Sequence, residues 1–169
     1  MAKRAFVIGA DCNKLNYACS DADKIAEALT ALGYQIAELS INEESDELLK
    51  KFKNFAKQSK INDTLIFYFA GHGKFIKPNL FLALNNSNLT EFNVSDVTNV
   101  FENCNAGNKL IILDCCEAAI KNLDMDNSEN YQVLRATRTV LDKAIEIPEF
   151  ESGLFSHYLY QILVVINSE

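Results

Sequence analysis

The sequence has no cluster of lysine or arginine. Its 16 basic residues are outnumbered by 23 acidic ones, the net charge is −7, and the acids are spread along the chain. An electrostatic footprint for nucleic acid or an anionic membrane surface is therefore missing, and a cationic partner or substrate suits the chain better. Long apolar runs are missing too. The most apolar stretch, Leu154 to Ile166, falls short of the ~18 residues that span a bilayer and is interrupted by Ser156, His157 and Gln161. The amino terminus starts with basic residues, but its apolar part, Ala5 to Ala10, is too short for a signal peptide and reads as a first strand. No internal repeat and no linker breaks the 169 residues, so one domain over 1–169 is expected.

Paired cysteine spacing is also absent. The five cysteines (12, 19, 104, 115 and 116) form an odd set with no C-x-x-C, which argues against a disulfide framework and a zinc site and for reduced thiols in a cytoplasm. No glycine-rich phosphate loop follows the first strand, where Gly9-Ala-Asp-Cys12 stands, so a flavodoxin-like ligand domain is a weak alternative and no cofactor is expected.

What is present is a chain 49% apolar, enough for a core, with a regular alternation of elements. Ala5–Ala10 reads as a buried strand. Ser20 or Asp21 then caps a helix with Ile25, Leu29 and Leu32 on one face and Gly33 as its left-handed stop. Tyr34–Leu39 alternates as a strand nearer the sheet edge does. Asn42, Glu43 and Glu44 open a second helix striped by Leu48, Phe52 and Phe55 until about Ser59. Lys74 to Asn93 is loop-like around a short apolar segment, Leu80–Leu84, that reads as a small strand or hairpin before an asparagine-rich turn at 85–88, and Val94–Phe101 reads as a short helix. A helix is expected to start at Glu117, a polar loop to fill 121–130, a fifth strand to run over Tyr131–Thr137, and Val140–Ile147 to add a sixth. A last helix from Leu154 is apolar on nearly every side, so something must bury it: the sheet, or a further domain or subunit. The expected fold is a three-layer α/β/α sandwich around a mostly parallel sheet of about six strands.

Two runs carry the chemistry. Leu65-Ile-Phe-Tyr-Phe-Ala-Gly-His72-Gly73 and Leu110-Ile-Ile-Leu-Asp114-Cys115-Cys116 are strand-length apolar runs that end in small or reactive residues, and strand ends are where α/β sheets act. A histidine and a thiol just past adjacent parallel strands, ~4.8 Å apart, straddle one scissile bond as base and nucleophile. Gly73 and Cys116 offer backbone amides to an oxyanion. Cys116 alone among the cysteines combines a strand end with a helix start. Cys12, Cys19, Cys104, Cys115 and His157 read as structural.

The histidine and cysteine motifs resemble those of caspase-like cysteine peptidases, in particular metacaspases and their prokaryotic relatives (orthocaspases), whose D-[S/C]-C-x-[S/A] sequence carries the nucleophile in its third position. That resemblance assigns the role to Cys116 over Cys115. Leu15-Asn-Tyr-Ala-Cys-Ser-Asp21-Ala22 is similar to the metacaspase L-x-G-C-x-N-D-A segment, although Tyr17, Ala18 and Ser20 depart from it. Ala144-Ile-Glu146 and Gly153-Leu-Phe-Ser156 resemble the family's A-x-E and G-x-F-T stretch, so the likeness covers nearly the whole chain.

The resemblance implies an endopeptidase cleaving protein substrates after arginine or lysine, with Asp21 and Asp114 lining the pocket for the basic side chain. It further suggests a role in regulated cell death or defence, Lys121 as a candidate activation cut, and calcium as a candidate activator. Asp124, Asp126 and Glu129 lack the glycine and final glutamate of a calcium loop and read as solvated, so no metal site is expected. A non-catalytic caspase-like module that binds a partner is the competing expectation. The apolar end at Ile166 leans toward an amino-terminal part of a longer protein.

Overall fold

The computed structural model describes residues 1–12, 14–40, 45–76, 78–85, 91–116, 128–137 and 143–168. Its centre is strand β3 (Thr64–Ala70), flanked by β1 (Lys3–Gly9) and β7 (Asn108–Asp114), with β2 (Gln35–Ser40) and β8 (Gln132–Arg135) at the edges in the order β2-β1-β3-β7-β8. All four pairings are parallel. Strands buried on both faces are rich in apolar residues without a polar side. In β3, Leu65, Phe67 and Phe69 enter one core while Ile66, Tyr68 and Ala70 enter the other.

Helices α2 (Ser45–Lys57) and α3 (Val94–Glu102) cover the first face. Phe6, Phe52, Phe67 and Phe101 meet there, Phe52 lying edge-on to Phe6 and Phe67 at centroid distances of 5.1 and 5.2 Å. Helices α1 (Ala18–Ala31) and α4 (Leu154–Asn167) cover the second face with Ala18, Ala22, Ile25, Leu29, Phe155 and Leu159. The α/β/α sandwich with a mostly parallel sheet is therefore present.

Several elements differ from expectation. The central sheet has five strands among the described residues, not about six. Of the described residues in the segment read as a sixth strand, only β9 (Glu146–Ile147) is a strand, and it pairs antiparallel with β10 (Ser152–Gly153) in a separate two-stranded ribbon closed by Pro148–Phe150. The small strand or hairpin expected at Leu80–Leu84 is present and, among the described residues, has a partner strand on each side. β4 (Gly73–Ile76), β5 (Asn79–Ala83) and β6 (Glu91–Asn93) form an antiparallel sheet, because Leu80, Leu82 and Phe92 bury inward.

Helix α1 begins before Ser20 and Asp21, so neither caps it; its N-cap is Tyr17, with no side-chain cap bond. The exposed amides of its first turn are met from elsewhere: Asn16 and Tyr17 donate to the Glu146 carboxylate at 3.0 and 2.9 Å, and Cys19 donates to Asp11 at 3.0 Å. At the other end Gly33 takes φ +84°, and Gly33 and Tyr34 donate back to Thr30 and Leu29, closing a Schellman turn as expected.

Helix α4 lays Phe155, Leu159, Tyr160 and Leu163 on the second core while Tyr158, Ile162, Val165 and Ile166 stay exposed, so the sheet buries only one of its faces. No helix among the described residues is long and apolar enough to cross a membrane. The openings expected at Asn42 and Glu117, the cut site Lys121, and Asp124 and Asp126 lie outside the described residues.

Candidate active site at the carboxyl ends of the central strands

The register of β3 against β7 decides where the two reactive side chains emerge. Ala70 is opposite Asp114, and the Gly71 amide continues the ladder by donating to the Asp114 carbonyl at 3.1 Å. His72 and Cys116 each follow that matched pair by two residues, so they leave neighbouring strands at the same level. Both are partly buried. The turn between them is tight: a Cβ on Gly73 would lie 2.5 Å from the Cys116 carbonyl oxygen and 2.8 Å from Cys115 Sγ, closer than any side chain tolerates. Gly73 is therefore what allows the histidine and cysteine loops to touch.

The remaining thiols sit differently. Cys115 is fully buried in the aromatic core, and Cys12 is buried beneath the His72 backbone. Desolvation raises the Cys12 thiol above its ordinary value and pushes Cys19 up to about 11, keeping both protonated. Among the cysteines beside His72, Cys116 is the one that reaches solvent. His157 is far along the chain on α4, stacked on Phe150 at 4.1 Å.

Beside this pair lies a second, acidic half. A narrow pocket open to solvent is walled by Leu15, Ala70, Gly71, Ile145 and Gly153 and by three carboxylates, Asp21, Asp114 and Glu146; no basic residue lines it among the described residues. Its wall residues Gly71 and Asp114 immediately precede the two reactive loops. Asp21, from the first turn of α1, accepts hydrogen bonds from Ser152 Oγ and from the Gly153 amide at 2.8 Å. Asp114 accepts from Ser156 Oγ, which also meets the buried Tyr68 hydroxyl at 2.6 Å.

Burial is the largest influence on both aspartates and raises their pKa, Asp114 to about 6, with the nearby Asp21 charge adding to it and the Ser156 hydroxyl opposing it. Two buried carboxylates this close to each other favour a cation arriving between them.

The structure thus brings His72, Gly73, Asp114 and Cys116 to adjoining strand ends and carries Asp21 in from α1. Glu146 was not singled out as a site residue from sequence. Its only signal was its place in the Ala144-Ile-Glu146 stretch, which does not reveal that it joins the pocket and holds the start of α1. Ser156 likewise stands only as the end of the Gly153-Leu-Phe-Ser156 stretch, and Ser152 and Tyr68 carry no site signal of their own in the sequence. Among the described residues no group of three or more His, Cys, Asp or Glu is arranged to hold a metal ion.

Comparison with known proteins bears on this arrangement. Residues 2–157 match the family described as the caspase domain. No curated protein matches the chain. Among solved structures it is similar to the Drosophila initiator caspase Dronc, with 10% identity over 98% of this chain and 65% of that one and a TM-score of 0.62. It is also similar to a Geobacter sulfurreducens protein solved by structural genomics, with 14% identity over 100% of this chain and 66% of that one and a TM-score of 0.52. The chain spans just under two thirds of the length of both. At these identities the likeness concerns the fold.

Proposed function

The chain belongs to the caspase-domain family, and from that premise we propose that it is a cysteine endopeptidase of metacaspase type that cleaves protein substrates after arginine or lysine. The observation that carries this reading is the matched register of β3 and β7, which delivers His72 and Cys116 side by side next to a pocket of three carboxylates.

In this mechanism His72 takes the thiol proton and the Cys116 thiolate attacks the scissile carbonyl carbon. The negative charge that develops on its oxygen is met by the Gly73 and Cys116 amides. His72 returns the proton to the leaving amine, the C–N bond breaks, and a thioester remains. Water, losing its proton to His72, attacks the thioester and releases the new carboxyl terminus and the thiol. Selection precedes chemistry: the basic side chain enters between Asp21 and Asp114, where an aspartate would be repelled.

The decisive assay is turnover of short peptides ending in arginine, lysine or aspartate, with and without calcium, by the wild type and by Cys116→Ala. Arginine or lysine turnover that Cys116→Ala abolishes supports the reading. Silence of the wild type under every condition would sink it, and an aspartate preference would sink the pocket assignment alone. A second reading, a non-catalytic module that binds a partner, is favoured by the exposed apolar face of α4, with Tyr158, Ile162 and Val165 in solvent. It predicts that silence. A role in regulated cell death or defence rests on the family resemblance.

A further inference from the structure

Gly153 joins β10 to α4 at φ −64°, ψ 139°, a conformation open to any residue, so its backbone gives no reason for a glycine. Its surroundings do. A Cβ built there would stand 3.0 Å from Asp114 Oδ2 and 3.1 Å from Asp21 Oδ2, in the gap between the two pocket carboxylates. The missing side chain leaves that gap open. The same junction supplies the groups that hold the carboxylates on either side of it: Ser152 Oγ and the Gly153 amide bind Asp21, and Ser156 Oγ, backed by the Tyr68 hydroxyl, binds Asp114.

We propose that Gly153 and Ser156 determine specificity in the pocket: Gly153 by leaving a slot between Asp21 and Asp114 that admits a guanidinium or ammonium group, and Ser156 as a positioning residue that aims Asp114 at it. The inference deepens the reading of this pocket as the receptor for a basic side chain and rests on it. Three features support it together. The slot is narrow, its two walls are buried acids, and each acid is oriented by a hydroxyl from the segment that carries the glycine. A methyl at position 153 fills the space the cation needs. Loss of the Ser156 hydroxyl frees Asp114 to turn away and leaves Tyr68 without its buried partner.

The test separates binding from catalysis by titrating agmatine, an alkylguanidinium, into Cys116→Ala protein by calorimetry, then repeating it with Gly153→Ala or Ser156→Ala added. The expected result is measurable binding in the parent, weakened about tenfold or more by Gly153→Ala and about fivefold or more by Ser156→Ala, with Gly153→Ala keeping a cooperative unfolding transition.

The pH profile is a readout that a merely structural role would leave in place. Asp114 faces Asp21 from α1, Glu146 from β9 and Tyr68 from β3, with Lys143 lining the adjoining groove. Because the Ser156 hydroxyl favours the ionised carboxylate, its removal moves the acid limb of agmatine binding to higher pH. Absence of agmatine binding in the parent, or unchanged affinity in Gly153→Ala, overturns the proposal. Agmatine binding that responds to Gly153→Ala, when protein with Cys116 intact shows no peptide turnover, sustains the slot and defeats only the peptidase reading.

Discussion

The two faces of the central sheet are built from the same three strands and do opposite work. On the α2–α3 side the alternate residues are phenylalanine, leucine and isoleucine, and the rings pack edge-on and tilted around Phe52. On the α1–α4 side they are alanine, isoleucine and Tyr68, and that face runs upward into a chain of hydroxyls and buried carboxylates. Small residues there let α1 and α4 approach closely enough for their first turns to meet across the strand ends. The aromatic face is packed with rings; the other exchanges packing for charge. On the proposed function, a parallel sheet holds stability and selection on opposite sides of one strand, here Phe67 and Phe69 against Tyr68.

The largest effect should come from the strand ends themselves. Cys116→Ala is expected to lower peptide turnover by at least about 10³-fold while the denaturant midpoint stays put, because Cys116 belongs to neither core cluster. A matching fall in stability would mean that the reactive loop belongs to the aromatic core.

Next, Phe52→Ala removes a ring that touches Phe6, Phe67 and Phe101 and should cost about 3–5 kcal/mol in urea unfolding. Protein that remains folded should keep its ratio of arginine to aspartate cleavage; a changed ratio would break the division between faces.

Asp114→Asn tests the other side in the opposite direction. The folded state raises this carboxyl from 3.8 to about 6, so its contribution to stability is full below the ordinary value and is lost as pH rises through about 6. At pH 7 the wild type therefore carries a charged, buried acid, and the amide should stabilise the protein by about 2–3 kcal/mol while arginine selectivity collapses. Thermal unfolding at pH 4 and pH 7 reads this, with the advantage shrinking at the lower pH. A destabilised variant at pH 7 would show that Asp114 holds the fold and is not strained for function.

The smallest effect is expected at Cys115, buried on the aromatic face against Gly73. Cys115→Ala should lose about 1 kcal/mol and keep turnover within about threefold of wild type. Loss of activity there would reverse the choice between the adjacent cysteines.

Much of the sheet could be read in advance because its signals are local. Leu65–Ala70 and Leu110–Leu113 are apolar runs bounded by breakers, and Gly33 marks a helix end wherever it is met. The sixth strand was misplaced because Val140–Ile147 has the composition of a strand but, among the described residues, only its last two pair, and with β10 instead of the central sheet. The capping role expected of Asp21 failed for a similar reason: Glu146, 129 residues beyond Tyr17, satisfies the start of α1 in its place.

His72, Cys116, Asp21 and Asp114 drew attention through their own chemistry and the motifs around them. By itself the sequence determined which segments are buried strands, where they end, and which reactive side chains stand at those ends, since apolar periodicity and turn residues act over a few positions. Only the tertiary structure decided that Ser152 meets Asp21 across 131 residues, that Ser156 joins Tyr68 across 88 and Asp114 across 42, and that a glycine leaves the space between the two acids. Hydrogen bonds between such distant side chains depend on strand register and helix placement, and no local pattern in the chain encodes them.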